Sequence, residues 1–314
     1  MPNRPTILFA AKAERWTQYE GPLKAALADA GLGDADLTTE AAAIDVDYIV
    51  YAPNSGLSDF TPFTRLKAVL NLWAGVEDVV DNPTLTVPLA RMVDSGLTEG
   101  MVEWVTGHVL RHHLGMDTHI HGQDGLWRPE SVPPLARDRQ VAILGLGELG
   151  TACAKALVAL NFKVSGWSRS PKDIEGVSCY HGADGLDEVL RASDITVLLL
   201  PKTSATENTL DARRFALMKK DAVIINPGRG PLIDDDALLA ALDQGQIKHA
   251  TLDVFRVEPL PEDHPYWSHP KVTVTPHIAS ATRTETASAV IAQNIRRGEA
   301  GEAFLHLVDR KAGY

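Results

Sequence analysis

Three residues of complementary chemistry stand in the second half of the chain: Arg229, Glu258 and His277. Arg229 lies in Asn226-Pro227-Gly228-Arg229-Gly230, Glu258 in Asp253-Val254-Phe255-Arg256-Val257-Glu258-Pro259, and His277 in Thr275-Pro276-His277-Ile278-Ala279-Ser280. Apolar runs at 222–226, 250–255 and 272–275 precede them and read as buried strands. An arginine offers a carboxylate a permanently charged, two-pronged donor. A histidine exchanges a proton near neutral pH. A glutamate beside that imidazole orients the ring, stabilises its cation and raises its pKa. Taken singly, each has an ordinary explanation, since loop histidines are commonly structural and Gly-Arg-Gly is a common turn. In an open α/β sheet, however, ligands bind beyond the carboxyl ends of the strands, so all three are expected to edge one crevice.

A second motif stands upstream. Gly145-Leu146-Gly147-Glu148-Leu149-Gly150 follows an apolar run at 141–144 and precedes Leu149, Cys153, Ala156, Leu157 and Leu160 at helical spacing. The glycine spacing alone is weak; strand before and helix after make it a dinucleotide fingerprint. Gly145 permits the tight turn, Gly147 lets the backbone approach a diphosphate, and Gly150 lets helix and strand pack closely. The helix N-terminus adds free N–H groups and a positive dipole end. The next strand, 162–167, runs into Ser168-Arg169-Ser170-Pro171-Lys172, with no carboxylate before Asp173. A carboxylate there favours a free ribose 2′-OH, whereas Arg169 and Lys172, with the hydroxyls of Ser168 and Ser170, favour a 2′-phosphate. NADP(H) is therefore expected over NAD(H), although Arg-Ser-Pro-Lys is also ordinary loop composition.

These groups need rigid elements to place them. Strands are expected at 6–11, 48–51, 68–72 and, more weakly, 86–89, and a helix at 21–30. A longer helix is expected from Thr98 as N-cap, with Met101, Val105 and Val109 on one face. The stretch 118–138, with Gly122, Gly125, Pro129, Pro133 and Pro134, reads as an irregular connection between two globular parts. After it come strands at 195–200, 222–226, 250–255 and 272–275, and a helix at 235–243, a series that reads as a doubly wound parallel α/β sheet.

Composition excludes other classes. The chain of 314 residues carries 30 Lys and Arg against 41 Asp and Glu, a net charge of −11, which argues against a nucleic-acid binder. Cys153 and Cys179 form no C-x-x-C or Cys/His cluster, so no metal site is expected, and two free thiols are favoured over one disulfide. No apolar run approaches the roughly 20 residues of a membrane span, and the N-terminus lacks the long apolar core of a secretory leader. A cytoplasmic protein without membrane partners is expected.

The glycine motif, Asn-Pro-Gly-Arg-Gly, Leu-Asp-Val-Phe-x-x-Glu-Pro-Leu-Pro and Thr-Pro-His-Ile-Ala-Ser resemble the D-isomer-specific 2-hydroxyacid dehydrogenases over nearly the whole chain. Within that family the chain is similar to the glyoxylate/hydroxypyruvate reductase A type, on Val87-Pro88-Leu89-Ala90-Arg91, Met101-Val102-Glu103-Trp104, Trp167-Ser168-Arg169-Ser170 and Val308-Asp309-Arg310-Lys311-Ala312-Gly313-Tyr314. The resemblance implies that Arg229, Glu258 and His277 are catalytic. It implies that Asp253 contacts the nicotinamide carboxamide and that Leu200-Pro201 passes under the cofactor, with Pro227, Gly228, Arg229 and His277 also beside it. Leu72-Trp73-Ala74-Gly75-Val76 matches a substrate loop whose N–H groups hold a carboxylate. Trp73 replaces a glycine common among relatives and reads either as a pocket wall or as a core aromatic. Tyr51 lies near a position that can carry an aromatic lid.

The fold implied is a Rossmann-type domain at 98–284 and a smaller flavodoxin-like α/β substrate domain from 1–97 and 285–314. A homodimer is implied, with the helix after residue 98 at its interface. The activity implied is NADPH-dependent reduction of a small 2-oxo acid, such as glyoxylate or hydroxypyruvate, to glycolate or a D-2-hydroxy acid. Two alternatives remain open: a nucleotide-sensing, corepressor-like binding protein on the same fold, and a phosphoglycerate-type dehydrogenase.

Overall fold

Short, mostly apolar runs form parallel strands, and the amphipathic runs between them form helices. The structure, a computed structural model, describes residues 4–313; Met1–Asn3 and Tyr314, the outermost residues of the stretches expected in the smaller domain, lie outside the described residues. The chain divides into two units, Met1–Leu97 with Ala281–Tyr314, and Thr98–Ser280.

The smaller unit begins with β1 (Thr6–Ala10), α1 (Ala13–Asp29), β2 (Asp36–Thr38), β3 (Tyr48–Tyr51), β4 (Ala68–Asn71) and β5 (Leu89–Ala90). Its strands are all parallel, in the order β2-β1-β3-β4-β5. The central β3 and β4 are buried along their whole length, as a sheet covered on both faces requires. Ile7, Tyr48, Val50 and Leu70 pack with Leu23 and Leu27 of α1; Ile49 and Val69 pack with Val79 and Leu85.

The larger unit contains most of α2 (Ser95–Leu114), then α3 (Met116–His121), β6 (Gln140–Leu144), α4 (Glu148–Ala159), β7 (Lys163–Ser168), β8 (Val177–His181), α5 (Gly182–Ala192), β9 (Ile195–Leu198), α6 (Ala212–Leu217), β10 (Ala222–Asn226), α7 (Asp235–Asp243), β11 (Ile247–Leu252) and β12 (Val272–Val274). Its seven strands are parallel in the order β12-β11-β10-β9-β6-β7-β8. The order reverses between β6 and β9, the switch point at which doubly wound sheets open a crevice. One face buries Leu144, Leu198 and Ile224 with Leu186, Phe215 and Leu238; the other buries Val141, Ile143 and Val197 with Val105, Val109 and Leu157. The last helix is α8 (Thr284–Glu299), whose Ile291 and Ile295 join the core of the smaller unit.

Several elements differ from expectation. The helix expected at 21–30 starts at Ala13 and runs through Pro22, because Tyr19, Leu23 and Leu27 form one buried stripe. The long helix starts at Ser95 rather than after Thr98, and Asp94 before it accepts the Leu97 N–H at 3.0 Å in the manner of an N-cap. The strand expected at 86–89 is only Leu89–Ala90, and the one at 250–255 occupies Ile247–Leu252. The edge strands β2 and β8 carry mixed, half-exposed sequences that lack the apolar signal of central strands. The stretch 118–138 does not connect two globular parts: it lies inside the larger unit, joining α2 and β6, which share one core, and its first residues belong to α3.

Candidate active site

Strand ends of the larger unit carry every group expected there. After β6, Gly145 adopts φ 108°, and a Cβ on it would lie 2.5 Å from Leu199 O. A Cβ on Gly150 would lie 1.8 Å from Gly145 O, so the turn and helix close only with glycine. Gly147 is the N-cap of α4, and open space surrounds the position its Cβ would take. Glu148 and Leu149 follow as the first residues of α4, in the turn whose N–H groups have no helical acceptor. This cradle fits a dinucleotide diphosphate. After β7, Arg169, Ser170 and Lys172 are exposed, while the Ser168 hydroxyl is buried and donates to Ser170 O at 2.8 Å. Ser168 therefore shapes the turn that presents Arg169. Leu200, after β9, is buried, and Pro201 O accepts the Thr206 hydroxyl at 2.6 Å.

The turn after β10 is held by Asn226, which is 1% exposed. Its Nδ2 donates to Arg229 O at 3.0 Å, and its Oδ1 accepts Gly228 N–H at 3.1 Å. Pro227 and Gly228 are buried, and Cβ atoms on Gly228 and Gly230 would strike Leu198 O and the Phe255 backbone, so the Arg229 turn lies against the neighbouring strand ends. Arg229 is half-buried and its Nη1 donates to Gly228 O at 2.7 Å.

After β12, His277 takes the left-handed conformation, φ 55°. Its Nδ1 lies 2.7 Å from Glu258 Oε2, and Glu258 Oε1 accepts Phe255 N–H at 2.9 Å. An ionised carboxylate only accepts, so Nδ1 carries the proton and Nε2 faces away from Glu258. The hydrogen bond to Glu258 raises the His277 pKa above its ordinary value, against the opposing effect of burial. Burial raises the Glu258 carboxyl, but the hydrogen bonds from His277 and Phe255 outweigh it and hold the group below its ordinary value.

Asp253, the residue after β11, is fully buried. Its Oδ1 accepts the Thr275 hydroxyl at 2.6 Å and Ile278 N–H at 2.9 Å, and its Oδ2 accepts Ala279 N–H at 2.9 Å. The backbone N–H of His277 donates to Asp253 O at 2.8 Å. The residue thus clamps the segment on either side of His277, a connection absent from the reading of its sequence motif.

The smaller unit holds the remaining expected residues. Tyr51 is 3% exposed, its ring packs on Phe60 at 5.6 Å and its hydroxyl donates to Leu57 O at 3.0 Å. As the last residue of a central strand, it is a core side chain rather than a lid. Trp73 is 36% exposed and Ala74 and Gly75 are half-buried, so Trp73 is not a core aromatic. Two functional candidates escaped sequence reasoning, Asn226 and Asn71. Each is a buried amide at the C-terminal end of an apolar strand, Ala-Val-Ile-Ile-Asn and Ala-Val-Leu-Asn, and that pattern is the signal that marks them.

Comparison with known proteins follows the same lines. Residues 106–279 match the model of the D-isomer specific 2-hydroxyacid dehydrogenase, NAD binding domain. A glyoxylate/hydroxypyruvate reductase A from Yersinia enterocolitica is 41% identical over 259 residues, covering 80% of this chain and 82% of the relative. A D-isomer specific 2-hydroxyacid dehydrogenase from Xanthobacter autotrophicus Py2, solved with NADPH and MES, superposes with a TM-score of 0.91 at 37% identity, covering 99% of this chain and all (100%) of that one. An NADPH-dependent glyoxylate/hydroxypyruvate reductase from Sinorhizobium meliloti, solved with NADP and sulfate, gives 0.82 at 35% identity over 99% and 100% of the two chains.

Proposed function

The chain belongs to the D-isomer specific 2-hydroxyacid dehydrogenase family, and we propose that it uses NADPH to reduce small 2-oxo acids, glyoxylate and hydroxypyruvate among them, to glycolate or a D-2-hydroxy acid. The observation that carries this reading is the His277 Nδ1–Glu258 Oε2 pair at 2.7 Å, on strand ends of the sheet that also carries Arg229 and the glycine cradle.

The backbone of Gly145, Gly147, Glu148, Leu149 and Gly150 holds the diphosphate, and Arg169 with Ser170 and Lys172 takes the 2′-phosphate. When bound, the reduced nicotinamide supplies the hydride that reaches the carbonyl carbon. Arg229 and the N–H groups of Ala74 and Gly75 bind the substrate carboxylate, and Arg229 polarises the carbonyl. His277 Nε2 gives its proton to the carbonyl oxygen as negative charge develops there, and Glu258 stabilises the imidazolium beforehand. Asp253 contributes by holding the backbone that presents His277; fully buried, with both oxygens engaged by Thr275, Ile278 and Ala279, it acts on the site through that segment rather than by touching the nicotinamide carboxamide. Trp73 forms part of the substrate wall.

A homodimer in the cytoplasm is part of the same reading. Leu126, Trp127, Val132 and Leu135 are exposed, Trp127 by 92%, in the irregular stretch between α3 and β6; burial by a second copy suits such a run. Both cysteines are free, in keeping with a reducing compartment. The test is a panel of 2-oxo acids assayed with NADPH and NADH in parallel, with mass measured in solution. Turnover of glyoxylate or hydroxypyruvate with NADPH, at a KM well below that for NADH, is expected; no turnover of any 2-oxo acid overturns the reading, and a preference for NADH overturns the role of Arg169.

A further inference from the structure

Asn71 closes β4, the strand that leads into the loop Leu72-Trp73-Ala74-Gly75-Val76, and it is 1% exposed. Its single amide nitrogen donates twice, to Trp73 O at 2.9 Å and to Gly75 O at 2.8 Å. Trp73 O also accepts Met92 N–H at 3.0 Å. The neighbouring carbonyls are likewise occupied: Leu72 O accepts the Thr282 hydroxyl at 3.1 Å, and Val76 O accepts the N–H groups of Val79 and Val80 at 3.0 and 2.8 Å.

The direction of the carbonyls fixes the direction of the N–H groups. A trans peptide is planar, and its C=O and N–H point opposite ways. The plane whose carbonyl is Trp73 O carries the N–H of Ala74, and the plane whose carbonyl is Gly75 O carries the N–H of Val76. Drawing both carbonyls towards one buried nitrogen therefore turns both N–H groups away from it, to the same side of the loop. No described residue accepts a hydrogen bond from the N–H of Ala74, Gly75 or Val76. Backbone N–H groups turned to one side of a loop and left without a protein acceptor offer an anion hydrogen bonds without a charged side chain.

The amide is specific to the task. Two carbonyl oxygens need two donors; a serine has one, and a carboxylate in the same place repels both. Turning the Asn71 amide over sets its oxygen against the same two carbonyls, so the orientation with nitrogen towards the loop is the one the surroundings require.

We propose that Asn71 is a positioning residue for substrate recognition: by holding Trp73 O and Gly75 O it fixes the peptide planes on either side of the Ala74–Gly75 peptide, and so sets the turn in which the Ala74 N–H is aimed at the carboxylate of the 2-oxo acid. This rests on the proposed reduction of 2-oxo acids and adds the device that shapes its carboxylate site. Asn71→Ala removes both donors, Asn71→Asp makes the contact repulsive, and Asn71→Ser keeps one donor for the case in which Asn71→Ala does not fold.

The test measures KM and kcat for glyoxylate and hydroxypyruvate, inhibition by oxamate, NADPH affinity by fluorescence titration, and thermal unfolding. For Asn71→Ala the substrate KM and the oxamate inhibition constant are expected to rise together by about tenfold, with the rise larger in Asn71→Asp and about threefold in Asn71→Ser. NADPH affinity and the pH dependence of kcat are expected to stay within about twofold of the parent. Substrate KM and oxamate inhibition unchanged in both Asn71→Ala and Asn71→Asp overturn the proposal while leaving the reductase reading intact. Equal losses of NADPH and substrate affinity overturn it too, as a general structural effect. A parent protein that turns over no 2-oxo acid overturns both.

Discussion

The loop after β4 and the loops after β10, β11 and β12 are built alike but end in different chemistry. A buried asparagine at a strand end holds the first, Asn71, and the turn after β10, Asn226, while Asp253 ties the loops after β11 and β12 together. The first presents Trp73-Ala74-Gly75-Val76, without a charged side chain; the second group presents Arg229, Glu258 and His277. A carboxylate can be held by peptide dipoles alone. A proton cannot be delivered by them at neutral pH, so only the larger unit needs a titratable group and a neighbour that sets its pKa. The division predicts that chemistry and pH dependence reside in the larger unit, and pH-independent recognition in the loop of the smaller.

The largest effect is expected from His277→Ala, which removes the acid: kcat should fall about 1000-fold while NADPH titrations change little. Turnover near that of the parent would remove proton transfer from the larger unit altogether. Next comes Asp253→Ala. Thr275, Ile278 and Ala279 would lose a buried acceptor, and the unfolding free energy in urea should drop by about 3 kcal/mol. An unchanged urea midpoint would show that the Asp253 clamp carries no weight.

Glu258→Gln should lower kcat/KM by about tenfold and move the pH profile. The sign follows from the raised pKa of His277: the proposed proton transfer uses its protonated form, so the rate should be full below the folded pKa and fall as pH rises through it. Without the carboxylate that pKa drops, and the fall begins at lower pH. Asn71→Ala should leave this limb in place, which separates the two regions in one experiment.

The smallest effect concerns histidines of the larger unit that oppose His277 in sign. His112 and His249 pack at 5.0 Å between α2 and β11, and burial pushes their pKa values down to about 3 and about 4. Both are neutral in the folded state, and stability is expected to be lost as pH falls below the ordinary histidine value of 6.5. Thermal unfolding should therefore move down by a few degrees between pH 7 and pH 5. A flat profile over that window would assign these rings to solvent.

Legibility followed the range of the interactions. Strands β3 and β10 and helix α7 were readable residue for residue, because unbroken apolar runs and an N-cap aspartate act within a few residues of themselves. The glycine cradle was readable for the same reason. Tyr51, which the resemblance puts near a position that can carry an aromatic lid, is a core residue, since the choice between surface and core depends on what covers β3. The stretch 118–138 reads from its glycines and prolines as a connection between two parts, whereas the packing of Val105 and Val109 of α2 with Val141 and Ile143 of β6 places it within one.

The amino-acid sequence by itself determined the sites where glycine is needed, the apolar runs that become central strands, and the identity of the charged groups Arg229, Glu258 and His277. Tertiary structure alone decided what the buried polar residues do. Asp253 finds its partners 22 to 26 residues away, on the far side of another strand, and Glu258 finds His277 at a separation of 19. Such pairs exist because parallel strands bring distant segments to one sheet edge, and strand order is a property of the whole core rather than of any local run of residues.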